Sequence, residues 1–416
     1  MRGGGGAGTL PVMEFKSTTL ANGLQIIAEL DQAAHTAAAG FFVKTGARDE
    51  ASPVMGVSHF LEHMMFKGTA AMTAEALNRA YDEIGARNNA YTSNEMTCFY
   101  AQVLPEHAGR TLELLGSMMR PALRQADFDT EKGVILEEIA MYKDNPFWVL
   151  YEASIAKHYG EHPMSHRVLG TDDTIKALGR DQMQTYFDNR YSADNTVLAL
   201  AGKLDFDKCV KQIEGLCGHW TRTGATRNGA KPRPVGGRFD LKDAKVSRAY
   251  FLALCEAPPI NDERKYAAAL LAQVLGASEN SRLHWALVES GTAEEAQASY
   301  DGHDGIGEYY IFAAGDPERM DDIEAEINRQ LESLVDSVTD DDLERLRNRI
   351  ATGATLNAEK PGDRMQRLGR HWTYLGKYQT LDEELAKINA VTKADLRNAS
   401  RDFPIKPVTV GRLLPA

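Results

Sequence analysis

The chain has 416 residues, a formal net charge of −12, and 43% hydrophobic and 25% charged residues. That length exceeds one ordinary core and predicts two domains of about 200 residues, with the composition of a soluble globular protein. The acidic balance argues against a nucleic-acid partner and suits cationic peptides or a basic partner, and no stretch reaches the roughly 18 apolar residues of a membrane span.

Residues 1–13 open with Met1, Arg2 and a run of glycines and contain no apolar signal core, so they read as a flexible lead, with a second possible start at Met13. A cytoplasmic location follows, or a periplasmic one if a signal has been removed. The four cysteines, Cys98, Cys209, Cys217 and Cys255, show no close pairing and read as buried thiols of a reducing compartment. Residues 14–20 and 24–29 alternate as two strands around Asn22-Gly23, a hairpin signal. Residues 37–43 form a third strand, followed by the loop 45–50.

Residues 57–66 have helical periodicity, with Val57, Phe60, Leu61, Met64 and Met65 apolar. His59 and His63 stand one turn apart on one face and can grip a single zinc ion. Glu62 precedes the second His and points near the same ion, where a carboxylate can take a proton from a water whose pKa zinc lowers to about 7. The order His-x-x-Glu-His is the inverted zincin signature. Chance could place two His and a Glu on a surface helix. Here the helix is otherwise apolar, and burying three polar groups without a partner is costly.

Residues 74–84 predict a helix ending at Gly85, residues 88–93 and 97–103 extended segments, and residues 105–121 and 127–143 two further helices. Glu131 and Glu138, two turns apart, share a side of the last helix. Glu138 is expected as the third zinc ligand, with Glu131 orienting a His ligand from behind; Glu137, turned by about 100°, is expected in solvent. A helical region runs from Phe147 to His158. His158, His162 and His166 lie too irregularly, in a stretch with Gly and Pro, to be expected as a second metal cluster. Residues 195–202 form a buried strand, and residues 205–217 a helix.

Residues 221–237, polar and rich in Gly and Pro, are expected to link a domain over 14–220 to one over 238–416. The second half repeats the plan: a strand at 246–255, a loop through Pro258-Pro259, and a helix over 263–275 that lacks any His-x-x-Glu-His. One zinc per chain is therefore expected.

His59-Phe60-Leu61-Glu62-His63, then Phe66-Lys67-Gly68-Thr69 and Val134-Ile135-Leu136-Glu137-Glu138, resemble the M16 (pitrilysin/insulinase) metallopeptidases. The similarity is greatest to the short-chain group that includes the mitochondrial processing peptidase, and it runs from Leu20 to Thr392. The resemblance implies an α+β fold of two duplicated domains, each a mostly antiparallel sheet with helices packed on it (LuxS/MPP-like metallohydrolase). It implies His59, His63 and Glu138 as metal ligands, Glu62 as general base and Glu131 as a supporting carboxylate. It also implies that Asn89 and Ala90 lie on an edge strand to which a peptide substrate adds as a further strand. Ala86 stands where relatives usually carry a Gly.

Many members carry an Arg and, seven residues on, a Tyr after a Ser-Arg-Leu segment of the second half, where they stabilise the tetrahedral intermediate. Ser281-Arg282-Leu283 is present, but residues 286–295 hold neither side chain at the matching places. Arg282 is expected to be structural, and Tyr300 is too far along. The pair is expected from a partner, a homologous subunit without the zinc motif, with a homodimer as the rival. The expected activity is a zinc endopeptidase acting on extended peptides inside a clam-like chamber. The alternative is a non-catalytic chamber subunit or peptide-binding protein of the same fold.

Overall fold

The computed structural model describes residues 13–227 and 229–416. The lead expected over 1–13 therefore lies outside the described residues except for Met13, as does Asn228 of the polar stretch. Six strands form the first sheet: β1 (Glu14–Thr19), β2 (Gln25–Leu30), β3 (Ala37–Val43), β4 (Arg87–Thr92), β5 (Thr97–Val103) and β6 (Thr196–Gly202). Their order is β1-β2-β6-β3-β5-β4, so β4 is an edge. The Asn22-Gly23 turn closes the β1–β2 hairpin, with Gly23 at φ +92°. Within this sheet, among the described residues, β2 and β6 are the one parallel pair.

The α-helices of the first half, among the described residues, are α1 (Val57–Met65), α2 (Ala74–Glu83), α3 (Ala108–Met118), α4 (Gln125–Lys143), α5 (Pro146–Tyr159), α6 (Asp172–Ala177), α7 (Arg180–Arg190) and α8 (Phe206–Cys217). The second half has β7 (Gly237–Asp243), β8 (Ala249–Ala257), β9 (Glu295–Gly302), β10 (Gly307–Gly315) and β11 (Thr409–Pro415). Its helices are α9 (Lys265–Gly276), α10 (Met320–Ser333), α11 (Asp340–Ala358), α12 (Pro361–Leu375), α13 (Leu381–Ala390) and α14 (Lys393–Asp402).

The second sheet, β7-β11-β8-β10-β9, repeats the first from β2 to β4 strand for strand, including the single parallel pair. The architecture is thus α+β and internally duplicated, with two mostly antiparallel sheets. Each sheet packs its own helices on one face and borrows a helix for the other. α12 covers Ile27, Phe42, Cys98 and Val197 of the first sheet with Met365 and Leu368. α5 covers Leu252, Leu254, Phe312 and Leu413 of the second with Leu150 and Ile155. The α12 contact is close: a Cβ at Gly369 would stand 2.1 Å from the Phe42 ring.

Residues 221–227 and 229–236 hold neither helix nor strand, yet they are not slack. Thr223 and Gly224 donate their N–H groups to Asp194, and the Arg227 guanidinium is buried against Asp49 at 2.8 Å. A polar stretch that composition alone reads as a tether is thus bound at both places by specific acceptors. Among the described residues no helix is long and apolar enough to cross a membrane.

Candidate metal centre

α1 forms where the sequence period demands it: Val57, Phe60, Leu61, Met64 and Met65 are buried in the first core. Gly56 starts the helix at φ +94°, and a Cβ there would meet the Leu169 carbonyl at 2.7 Å, so glycine is required on both counts. The first turn is capped from a distance. Glu50 accepts the N–H groups of Gly56 and Ser58, each at 2.7 Å, through its two oxygens. α1 and α4 are pinned by the stacked rings of Phe60 and Phe128, 4.6 Å apart. On α4, Phe128, Glu131, Ile135 and Ile139 are buried and Glu137 is exposed, so the stripe facing α1 carries Glu131 and Glu138 with it.

The consequence is a convergence of three donors. His59 Nε2 lies 3.8 Å and His63 Nε2 3.6 Å from Glu138 Oε2, and one ligand atom from each residue lies within 4.8 Å of the others. Among the described residues this is the one His/Cys/Asp/Glu group with that geometry. His63 Nδ1–H donates to Glu131 Oε1 at 2.8 Å, which leaves the Nε2 lone pair facing Glu138. Lys67 Nζ holds the other Glu131 oxygen at 2.5 Å. Burial, with His63 beside it, lowers the His59 imidazole to about 3, so that ring is neutral. Two imidazole lone pairs and a carboxylate facing one another repel unless a cation lies between them. Donors about 2.1 Å from one tetrahedral zinc ion would stand about 3.4 Å apart, close to the spacings seen. The donor set fits zinc.

Glu62 lies beside these three. Its Oε2 accepts a hydrogen bond from Thr92 Oγ1 at 2.7 Å. Burial raises its carboxyl above the ordinary carboxylate value; Thr92 and His63 pull it back, and Glu138 pushes it up. Ala90 is on the edge strand β4, buried, while Asn89 is exposed with its Oδ1 accepting the Ala90 N–H at 2.9 Å. A cavity of about 580 Å³ joins His59, Glu62, Ala90 and Thr92 to an aromatic wall from α4 and α5, including Tyr142, Trp148 and Tyr151. His303, Glu308 and Tyr310 of the second half close its far side. Asn89 does not line it.

His158, His162 and His166 each bond to separate partners, Thr409, Ala230 and Ala47. Arg282 is tied to the Ser337 carbonyl and Asp342, and the Tyr300 hydroxyl to the Pro258 carbonyl. All four cysteines are buried and outside any disulfide. Sequence reasoning gave no role to Glu50, Lys67 or Thr92, nor to the aromatic wall. Lys67, one turn after His63, and Thr92, two residues after Ala90 on the same strand face, carried a usable signal of spacing. Glu50 carried none.

The chain is similar to known proteins over nearly its whole length. Residues 25–172 match the sequence profile of insulinase (peptidase family M16), and residues 177–350 match that of the peptidase M16 inactive domain. The uncharacterized zinc protease YmxG of Bacillus subtilis is 30% identical over 94% of this chain and 95% of its own length. The uncharacterized zinc protease SCO5738 of Streptomyces coelicolor is also 30% identical, over 97% and 89%. Among solved structures, a protease from Helicobacter pylori superposes with a TM-score of 0.91 at 19% identity, covering 97% of this chain and all of the other. An M16-like peptidase structure from Alicyclobacillus acidocaldarius gives 0.84 at 20% identity, over 97% and 99%. Two matching profiles in tandem and near-full-length relatives named as zinc proteases establish that the chain belongs to peptidase family M16.

Proposed function

We propose that the chain is a zinc-dependent endopeptidase that cuts extended peptides. In this reading His59, His63 and Glu138 hold one zinc ion per chain, Glu62 is the general base, and Glu131 orients His63. Residues 14–220 form the catalytic half and residues 238–416 its metal-free homologue. The observation that carries it is the convergence of His59 Nε2, His63 Nε2 and Glu138 Oε2 beside the Glu62 carboxyl. Zinc held there would polarise the attacking water and the scissile carbonyl. Glu62 takes the water's proton on its carboxylate as the new bond to the carbonyl carbon forms. It then hands that proton to the amine nitrogen as the peptide bond breaks.

The open edge of β4 supplies the grip on substrate, since unpaired backbone groups bind an extended peptide whatever its sequence. Asn89, whose side chain covers the Ala90 N–H, swings aside as the peptide strand adds. Arg282 and Tyr300 are engaged within their own half, so donors for the oxyanion come from a second subunit that encloses the substrate. That subunit is a homologue without the zinc motif; a second copy of this chain is the rival. Oxyanion donors of this kind are worth about 2.7–4 kcal/mol each. The location proposed is cytoplasmic, or periplasmic if a signal has been removed.

Zinc analysis and a quenched peptide test the chemistry. Glu62→Gln should keep the metal and lose at least about 100-fold in kcat, and a chelator should stop wild-type cleavage. A Glu62→Gln enzyme that retains zinc and cleaves at the wild-type rate refutes the general base. A wild-type chain that binds zinc and peptide but cuts nothing, alone or with its partner, supports the non-catalytic subunit instead. Native mass measurement of the endogenous complex decides between hetero- and homodimer.

A further inference from the structure

We propose that Thr92 is a positioning residue for Glu62, tying the orientation of the base to the open edge strand; this rests on reading Glu62 as the base. Thr92 is the last residue of β4 and pairs with Thr97 of β5. Its Oγ1–H donates to Glu62 Oε2 at 2.7 Å, and among the described residues it is the one hydrogen-bond partner that the Glu62 carboxyl has. A glutamate on a helix has three freely turning side-chain bonds. Without Thr92 no protein donor would select one carboxyl placement out of those open to it. With Oε2 held, Oε1 is the oxygen left to receive a proton.

The placement on β4 gives this contact its second side. Ser93 N–H bonds the Met96 carbonyl, so alternation along the β4–β5 pairing turns the Ala90 N–H to the open edge, where the Asn89 side chain accepts it. Strand alternation then turns the N–H and C=O of Thr92 to the same open side. The side chains of Ala90 and Thr92 share one face, and both line the cavity with His59 and Glu62. A peptide paired along this edge therefore lies against the residue that aims the base, and the two ends of the reaction geometry are set by one strand.

Kinetics of Thr92→Val and Thr92→Ser, beside Glu62→Gln, test this. Valine keeps the shape and strand preference of threonine and removes only the donor. Misplacing a reacting group by about 1 Å costs on the order of 100-fold, so Thr92→Val should lower kcat by about 10- to 100-fold. KM and zinc content should stay near their wild-type values, and Thr92→Ser should restore most of the rate. A crystal structure of zinc-free Thr92→Val should show the Glu62 carboxyl displaced. Thr92→Ala serves the same readouts if the valine variant does not fold. An unimpaired Thr92→Val, a loss confined to KM, a serine variant as slow as valine, or an unmoved Glu62 overturns the proposal. Full activity of Glu62→Gln removes the base reading and Thr92 with it; an inactive Glu62→Gln beside an unimpaired Thr92→Val removes Thr92 alone.

Discussion

Glu50 is a buried carboxyl, pushed up to about 8 by that burial, whose oxygens accept backbone N–H groups, and it does for α1 what a serine or aspartate at the cap position usually does. Gly56 has no side chain to cap the helix, and the two Glu50 oxygens take the Gly56 and Ser58 N–H groups instead. Removing it leaves two buried donors unpaired at the start of the helix that carries His59 and His63. Glu50→Ala should cost about 2 kcal/mol of stability and weaken zinc binding, read by denaturant unfolding and a zinc titration. Behind the other His, Glu131→Gln keeps an oxygen for the His63 Nδ1–H but strands the Lys67 ammonium. Losing such a partner typically costs 10- to 100-fold in metal affinity, which competition against a chromogenic chelator would show. Glu131 was legible before any coordinates, because two helical turns put it on the Glu138 side. Lys67 and Glu50 were less so: their partners are set by how α1 meets α4 and by a loop returning to the helix start, neither of which periodicity encodes.

Between elements, the turns after β4 and between β9 and β10 meet in a buried charge cluster. Glu95 pairs with Arg48 at 2.5 Å and accepts the Asp304 N–H at 3.1 Å, while His303 Nδ1 stands 3.4 Å from it. Arg227 closes the cluster on Asp49 and Asp304, and Glu308 takes the Tyr159 hydroxyl. α6, α7 and the elements after α9 were not assigned from sequence, whereas some strands, such as β3 and β5, were read from the chain to the residue because each is a local pattern. This cluster was not, since Glu95 and Asp304 lie 209 positions apart and no window of sequence joins them. Taking one partner from a buried ion network leaves charge unpaired, so Glu95→Gln should lose about 3 kcal/mol in denaturant unfolding at neutral pH. Burial alone would raise the Glu95 carboxyl, but His303, Arg227 and Arg48 outweigh it and hold it well below its ordinary range. Its contribution is thus present above the unfolded value of 4.5 and lost as pH falls toward the folded one. Burial alone would lower His303, but Glu308 and Glu95 hold it well above 6.5. Its contribution is full below 6.5 and lost as pH rises through the folded value. The stability gap between wild type and Glu95→Gln should therefore close toward acid, and that of His303→Gln toward alkali. Melting curves across pH read both, and gaps moving the other way would refute the charge assignment.

At the scale of the whole molecule, the reciprocal loan of α5 and α12 decides how separable the two halves are. Duplication was visible in the sequence as a repeated strand–loop–helix order, and an amphipathic helix announces that it will bury one face. It does not say against which sheet, so the crossing of α12 to the first sheet and α5 to the second could not be read from pattern alone. Its energetic weight is large. Stripping α12 from the first sheet would bare Ile27, Phe42, Cys98 and Val197, at roughly 2 kcal/mol for each large side chain. That sum rivals the whole stability of a typical domain, about 5–15 kcal/mol. Fragments 1–230 and 231–416, produced separately, should therefore aggregate or remain expanded, each missing the helix that covers its sheet. Produced together, they should associate, since every contact of α12 with Phe42 and of α5 with Phe312 can form between two chains as well as within one. Gel filtration and circular dichroism of the two fragments, apart and combined, measure this. A first fragment that alone gives a sharp, cooperative melt would mean that the sheet face under α12 tolerates water, and that the two halves are joined by the cluster around Glu95 rather than by exchanged helices.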